Sequence, residues 1–367
     1  MMKMLEDHSD DENIFEDLDE SDDSVTEDNM EARIESSESE QNYEEFSNDD
    51  STDNASYFLG KDKSSKWYRD IPNKKNRAAP HNLLKQLQGV IGPAKLSKSP
   101  VDCWKYLFTG DILDIIVKYT NQYINIIKNK YGRERDAKLT DDIEIKAFRC
   151  ILYLAGAYRA NRQSLEELWG TNGDGVEKFG MVMNLKRFKF LMRWLRFDDR
   201  NTRDERKLID KLAPIREIFY EFVKNFQKCY SLSEFVTLDL TGFRGRCAFK
   251  QYIPSKPAKY GTKIYSLVDS KMFYTYNLEI YAGNQPDGPF DISNKPTDVV
   301  KRMIAPLRGS DRNLTADNWF TALDFVEELK EMKLSYVGTV KKNNRELPPE
   351  FVTTKSREVY SSNFGLH

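Results

Sequence analysis

The spacing of hydrophobic residues changes character twice along the chain. Through residues 1–54 it has no period at all: Asp, Glu, Ser and Asn recur with scattered Ile, Phe and Leu. Such a stretch cannot bury enough apolar surface to offset chain entropy, so it is expected to be disordered. Residues 55–100, rich in Lys, Pro and Gly, read as a linker. From 101 to 233 the period is helical. Ile112, Ile115, Ile116 and Tyr119 make one stripe, continued by Tyr123, Ile126 and Ile127. A second run, Ile143 to Tyr158, follows Thr140-Asp141-Asp142, an N-cap signal. Phe188, Leu191, Met192 and Leu195 mark a third helix. Ile215, Ile218, Phe219, Phe222 and Phe226 mark a fourth, with Pro214 expected in its first turn. All these stripes are expected to face a core.

Near 234 the helical spacing gives way to alternation. Phe235 to Leu240 predicts a strand, Thr262 to Val268 a second, and Met272 to Tyr281 a third that forms a hairpin with the second. A helix is expected over 298–307, a short strand over Asn313 to Ala316, a helix over Phe320 to Met332 and a strand over Ser335 to Val340. The order over 234–345 is β-β-β-α-β-α-β. Residues 346–367 are polar and Pro-containing, and predict no further element. The fold class is therefore mixed, α+β or α/β, with a helical domain preceding a sheet domain.

Charge sharpens this division. The net charge of -3 conceals 22 acidic residues against Lys3 and Arg33 up to Asn54, a net of about -20. The remainder holds 54 basic and 37 acidic residues, about +17. An acidic head on a basic body suits a polyanion-binding protein, since phosphate contacts release counterions; a soluble domain with a solvated basic face has the same balance. No run of about 18 uncharged apolar residues occurs, so no membrane helix is predicted. The acidic, polar first residues predict no signal peptide. Four widely separated cysteines (Cys103, Cys150, Cys229, Cys247) predict reduced, mostly buried thiols of a cytosolic or nuclear protein, neither a disulfide framework nor a zinc site. Lys74, Lys75 and Arg77 form either a nuclear-import signal or part of a linker. Lys186, Arg187, Lys189, Arg193 and Arg196 either touch phosphates or solvate the third helix.

Two aspartates stand out. Asp239 lies within an apolar strand, and Asp317 lies where a strand gives way to a loop. By position alone, Asp239 is a hydrogen-bonded structural residue or a metal ligand, and Asp317 an N-cap or a metal ligand. A three-strand meander, a helix and a short fourth strand open the RNase-H-like fold, in which the first strand and the end of the fourth each carry a metal-binding carboxylate. Mg2+ takes hard oxygen ligands and is commonly held by one or two carboxylates, with water and substrate phosphates completing its shell.

The local words narrow the choice. Gly242-Phe-Arg-Gly-Arg-Cys247, Tyr252-Ile-Pro-Ser-Lys-Pro-Ala-Lys-Tyr-Gly-Thr-Lys-Ile264 and Val268-Asp-Ser270 strongly resemble the piggyBac transposase family. So do Leu314-Thr-Ala-Asp-Asn-Trp-Phe-Thr321, Tyr336-Val-Gly-Thr-Val340 and Arg345-Glu-Leu-Pro348. The resemblance spans about 100–350. It implies that Asp239 and Asp317 are the first and second catalytic aspartates of a DDE nuclease using Mg2+ or Mn2+. It implies a helical dimerisation and DNA-binding domain at 101–233, an RNase-H-like core at 234–345, a nuclear location and a possible homodimer. The partner implied is double-stranded DNA: transposon ends, and TTAA targets. Arg244, Arg246, Lys250, Lys256, Lys259 and Lys263 would position the DNA backbone; otherwise they belong to a solvated loop. Trp319 and Phe320 are expected to pack in the core.

The chain departs from the family pattern twice. The link from the first aspartate to Phe-Arg-Gly-Arg is two residues shorter, about 7 Å of extended chain, and Leu240 stands where a glutamate often follows. A distorted active-site wall is expected from that. The third aspartate and the cysteine-rich finger of the family are absent from the 367 residues, and Glu346, Glu350 and Glu358 lie in a segment without helical pattern. The expected function is that of a piggyBac-derived DNA-binding protein, catalytically incomplete as a truncated core. The alternative is a domesticated, non-catalytic DNA-binding or chromatin-associated interaction protein.

Overall fold

The computed structural model describes residues 56–69, 84, 86–171, 175–243, 247, 249–253, 259–353 and 357–367. In chain order its elements are β1 (Tyr57–Leu59), β2 (Lys66–Tyr68), β3 (Gly89–Val90), α1 (Pro100–Leu107), α2 (Gly110–Ile127), α3 (Asp142–Ala157), α4 (Leu165–Leu168), α5 (Glu177–Val182), α6 (Leu185–Trp194), α7 (Arg203–Lys207) and α8 (Arg216–Cys229). They continue as β4 (Tyr230–Ser231), β5 (Phe235–Phe243), β6 (Gln251–Tyr252), β7 (Tyr260–Asp269), β8 (Thr275–Tyr281), α9 (Pro296–Ile304), β9 (Asn313–Ala316), α10 (Leu323–Glu331), β10 (Ser335–Gly338) and α11 (Pro349–Val352).

The helical starts follow from local chemistry. Ser99 caps α1 by accepting the Asp102 amide at 3.2 Å, Asp141 caps α3 through the Glu144 amide at 2.8 Å, and Ser164 with Glu167 forms a reciprocal capping box on α4. Two sequence expectations are corrected. Pro214 precedes the N-cap of α8, Ile215, and so lies outside the first turn. On α2 the buried stripe is Ile112, Ile116, Thr120, Tyr123 and Ile127 beside Leu113 and Ile124, which turns Ile126 to solvent. Tyr123, Ile124, Phe148, Ile151, Leu168, Phe179, Phe188, Leu191 and Trp194 form one core, joining α2, α3, α4, α5 and α6. Each such side chain contributes about 1.5–3 kcal/mol on burial. Arg149 of α3 lies 3.8 Å from the Trp104 ring centroid and 3.7 Å from that of Phe108, a cation–π clamp between α3 and the end of α1. Burial lowers its guanidinium to about 10, which leaves it charged at neutral pH.

The sheet runs in the spatial order β8-β7-β5-β9-β10, with β6 extending the far end of β7. β5 is antiparallel to β7 and parallel to β9; β10 is parallel to β9. One face carries Val236, Leu238, Tyr265, Leu267, Leu314 and Ala316 against Val299, Val300, Met303 and Ile304 of α9 and Phe325 and Leu329 of α10. Among the described residues of the wall expected to be distorted, β5 and β7 pair without a bulge from Val236↔Asp269 to Phe243↔Thr262, so Thr241 and Gly242 continue the strand. A Cβ at Gly261 would lie 2.6 Å from the Phe243 carbonyl oxygen, so this tight approach of backbones requires glycine.

Two buried charges set the register at the start of β5. The Asp269 carboxylate accepts from Ser233 N and Oγ, Lys271 N and Met272 N. Burial works to raise its pKa, but the donors from Ser233, Met272 and Lys271 outweigh this and hold it below the usual aspartate range. Arg312, at the entry to β9, donates to the carbonyls of Ser233 at 3.0 Å and Leu232 at 2.8 Å and to Ser231 Oγ at 3.2 Å. Asp269 thus ties β7, and Arg312 ties β9, to the same few residues before β5.

Residues expected to be linker and tail meet each other. β1 and β2 form an antiparallel hairpin, and Tyr68 bridges to Leu366. Trp67 donates its Nε1 proton to the Glu346 carbonyl at 2.7 Å and packs edge-on to Phe351. The Asp62 amide donates to the Arg345 carbonyl at 2.8 Å. Farther on, β3 pairs with β4. The cysteine expectation also needs correction: Cys229 is buried, whereas Cys103 and Cys150 are exposed and Cys247 is partly so. Lys74, Lys75 and Arg77 lie outside the described residues.

Candidate metal-binding site

The β5–β9 register runs Val236↔Leu314, Thr237↔Thr315, Leu238↔Ala316. One residue further, Asp239 of β5 comes level with Asp317, the first residue beyond β9, next to a strand about 5 Å away. Leu238 and Ala316 are buried in the core, so alternation turns both aspartates, with Thr237 and Thr315, to the opposite face. Both aspartates are exposed. The backbone of β7 places Ser266 directly across from Asp239 on that face.

Local hydrogen bonds orient each carboxylate. Asp239 Oδ1 accepts the Leu240 amide at 2.7 Å. Asp317 Oδ1 accepts the Trp319 amide at 3.0 Å, an Asx turn. Asp317 is therefore not the N-cap of the next helix, which starts at Leu323 behind Ala322. Between them, Trp319 stacks on Tyr265 at 5.7 Å and 15°, and Phe320, 1% exposed, enters the core. These rings fix the loop from below, as core residues. The Asp317 carbonyl also accepts Thr321 Oγ1 at 2.9 Å, and Thr321 Oγ1 lies 2.7 Å from Tyr336 Oη on β10. Burial pushes the Tyr336 phenol up, so its proton is held at neutral pH.

Asp239 and Asp317, both exposed, offer the hard carboxylate oxygens that Mg2+ or Mn2+ takes. Among the described residues no third Asp, Glu, His or Cys gathers with them. The basic stretch behaves less uniformly. Arg244, Arg246 and Lys256 lie outside the described residues. Lys250 and Lys259 are exposed beyond the end of β5, near β6. Lys263 pairs with Gly242, which puts it on the Leu238 face, away from Asp239; its ammonium sits 5.7 Å from the Tyr281 ring centroid. On α6, Arg187 is engaged bidentately by Glu144 at 2.7 Å, Lys189 pairs with Glu166, and Arg196 lies 3.9 Å from the Tyr123 ring centroid. These three are internal ties. Asp269, Arg312, Thr321 and Tyr336 were not singled out by sequence, although Asp269, Thr321 and Tyr336 all lie within the family-like words.

The mixed sheet follows the strand and helix order expected of an RNase-H-like core, and it carries Asp239 and Asp317 on one side. A family model described as Transposase IS4 matches residues 99–365, and the chain belongs to that family, among its piggyBac transposase-derived members. It is 23% identical over 260 residues to human PiggyBac transposable element-derived protein 3, covering 69% of this chain and 41% of that protein. It matches the human chimeric ERCC6-PGBD3 protein at the same identity, over 23% of that protein's length. The chain thus spans less than half of these curated relatives. A cryo-EM structure of the piggyBac transposase synaptic complex with hairpin DNA superposes with a TM-score of 0.68 at 34% identity, over 74% of this chain and 57% of that one.

Proposed function

We propose that the chain is a nuclear, piggyBac-derived DNA-binding protein that binds one divalent ion through Asp239 and Asp317, and that these 367 residues by themselves do not cut DNA. The level placement of the two aspartates by the β5–β9 register carries the metal assignment. When bound, Mg2+ or Mn2+ would supply Lewis-acid stabilisation of a phosphate oxygen. The protein's own part is to hold two anionic oxygens on a rigid sheet, with Lys250 and Lys259 beyond the end of β5 drawing in the polyanion. The solved relative is a complex with hairpin DNA, which supports duplex DNA as partner. Among the described residues no group of three or more acids, histidines or cysteines gathers, which supports metal binding without cutting by these 367 residues. By relationship, transposon-end-like DNA, TTAA targets and self-association into a homodimer belong to the same proposal.

Fluorescence anisotropy on a TTAA-containing duplex of about 30 base pairs tests it. Binding should weaken linearly in log–log form between 50 and 200 mM salt. Salt-independent or absent binding would leave the second reading, a protein-interaction scaffold with an acidic head. Nicking assays with Mn2+ should show no product, and robust cleavage abolished by Asp239→Ala would overturn the non-cutting part.

A further inference from the structure

The loop carrying Asp317 is held from β10 as well as from below. Thr321 Oγ1 has one proton, donated to the Asp317 carbonyl at 2.9 Å. Its contact of 2.7 Å with Tyr336 must therefore be one in which the Tyr336 hydroxyl donates. Tyr336 itself is fixed by the parallel pairing of β10 with β9, where Tyr336 lies opposite Leu314 and Gly338 opposite Ala316. Two residues on, at Gly338, a Cβ would come within 2.6 Å of Tyr336 Cε1, 2.7 Å of its hydroxyl and 2.8 Å of Thr321 Oγ1. The space a side chain would take at 338 is already filled by the hydroxyl pair.

We propose that Thr321 and Tyr336 are positioning residues for Asp317, and that Gly338 is glycine because any side chain there would push that pair apart. The relay Tyr336 to Thr321 to the Asp317 carbonyl fixes the peptide that begins the Asx turn, and so aims the carboxylate at the level of Asp239. Strand β10 holds no metal-binding residue in this scheme, yet it sets the geometry of one. The inference rests on Asp317 being a metal ligand, but the held loop can be measured without any metal.

Amide hydrogen exchange at Trp319, whose N–H closes the turn on Asp317 Oδ1, reports the loop. Manganese EPR titration reports the ion. Thr321→Val removes the hydroxyl with its shape kept, Thr321→Ser keeps the hydroxyl, and Tyr336→Phe removes the distal donor. Thr321→Val and Tyr336→Phe should each speed Trp319 exchange and weaken Mn2+ binding about tenfold, as outer-shell changes typically do, while Thr321→Ser behaves like the parent. Unchanged exchange and unchanged Mn2+ affinity in both Thr321→Val and Tyr336→Phe, alongside loss of binding in Asp317→Asn, would overturn the inference. If Asp317→Asn leaves Mn2+ binding intact, the metal assignment fails, and Trp319 exchange alone decides whether the relay holds the loop.

Discussion

Replacing Asp269 by Asn tests whether a buried carboxylate enforces the sheet register on which the site depends. Asp269 is fully buried. Its Oδ1 accepts from Ser233 Oγ, Lys271 N and Met272 N, and its Oδ2 from Ser233 N. An Asn with its carbonyl in the Oδ1 place keeps three acceptor contacts but presents an amide group to the Ser233 N–H. One buried donor is then left opposed, at about 1–3 kcal/mol, and the remaining bonds lose their charge assistance. The sum is about 3 kcal/mol, or a drop in Tm of roughly 4–5 °C at about 2.1 cal/mol/K of unfolding entropy per residue. Differential scanning calorimetry at pH 7 should show this gap. The sign with pH follows from the lowered pKa of Asp269 in the fold. Its stabilisation is complete above the unfolded value of about 3.9 and is lost as pH falls through the lower folded value. The gap between parent and variant should therefore hold down to about pH 4 and narrow below it. A Tm within about 1 °C of the parent at pH 7, or a gap that widens on acidification, would refute this account of Asp269.

Other outcomes follow from the same contacts. Asp198, 3% exposed, accepts from Arg203 Nη2 and Arg206 Nη2, each at 2.6 Å; Asp198→Ala should cost about 3 kcal/mol by stranding the buried Arg203 guanidinium, read as lost urea resistance. Lys250→Ala with Lys259→Ala should lower the salt slope of DNA binding by up to about 2, with no change in Tm beyond 1–2 °C; an unchanged slope would remove both from the interface. Deleting residues 1–54, which carry a net of about -20, should tighten DNA binding at low salt, as measured by anisotropy; unchanged affinity would show that the acidic head does not compete with DNA.

Much of the sheet was legible because its information is local. Alternation over Phe235–Leu240 marks β5, and Asn313–Ala316 marks β9, since each strand has one face in a single core. What the sequence does not carry locally is register. That Asp239 and Asp317 come level depends on Arg312 and Asp269 reaching across to the residues before β5. That Lys263 points away from Asp239 depends on its pairing with Gly242. Asp317 resembles a helix cap because Asx turns and N-caps use the same side-chain acceptor; only the start of α10 at Leu323 separates them. The hairpin at 57–68 was hidden because its strands are three residues long, and its packing partner, Glu346 to Leu366, lies far along the chain. Ile126 and the exposed cysteines show the limit of a stripe read as a list of apolar residues: on α2 the core takes Leu113 and Ile124 instead.

The central claim is that Asp239 and Asp317 act together on one ion, and a double-mutant cycle on Mn2+ affinity tests it most directly. EPR titration of the full chain, Asp239→Asn, Asp317→Asn and the double variant gives four affinities. A shared ion predicts that each single change weakens Mn2+ at least about tenfold and that the double variant is little worse than either, because the paired ligands act as a unit. Parent-like binding in both single variants, or losses that simply add, would contradict it.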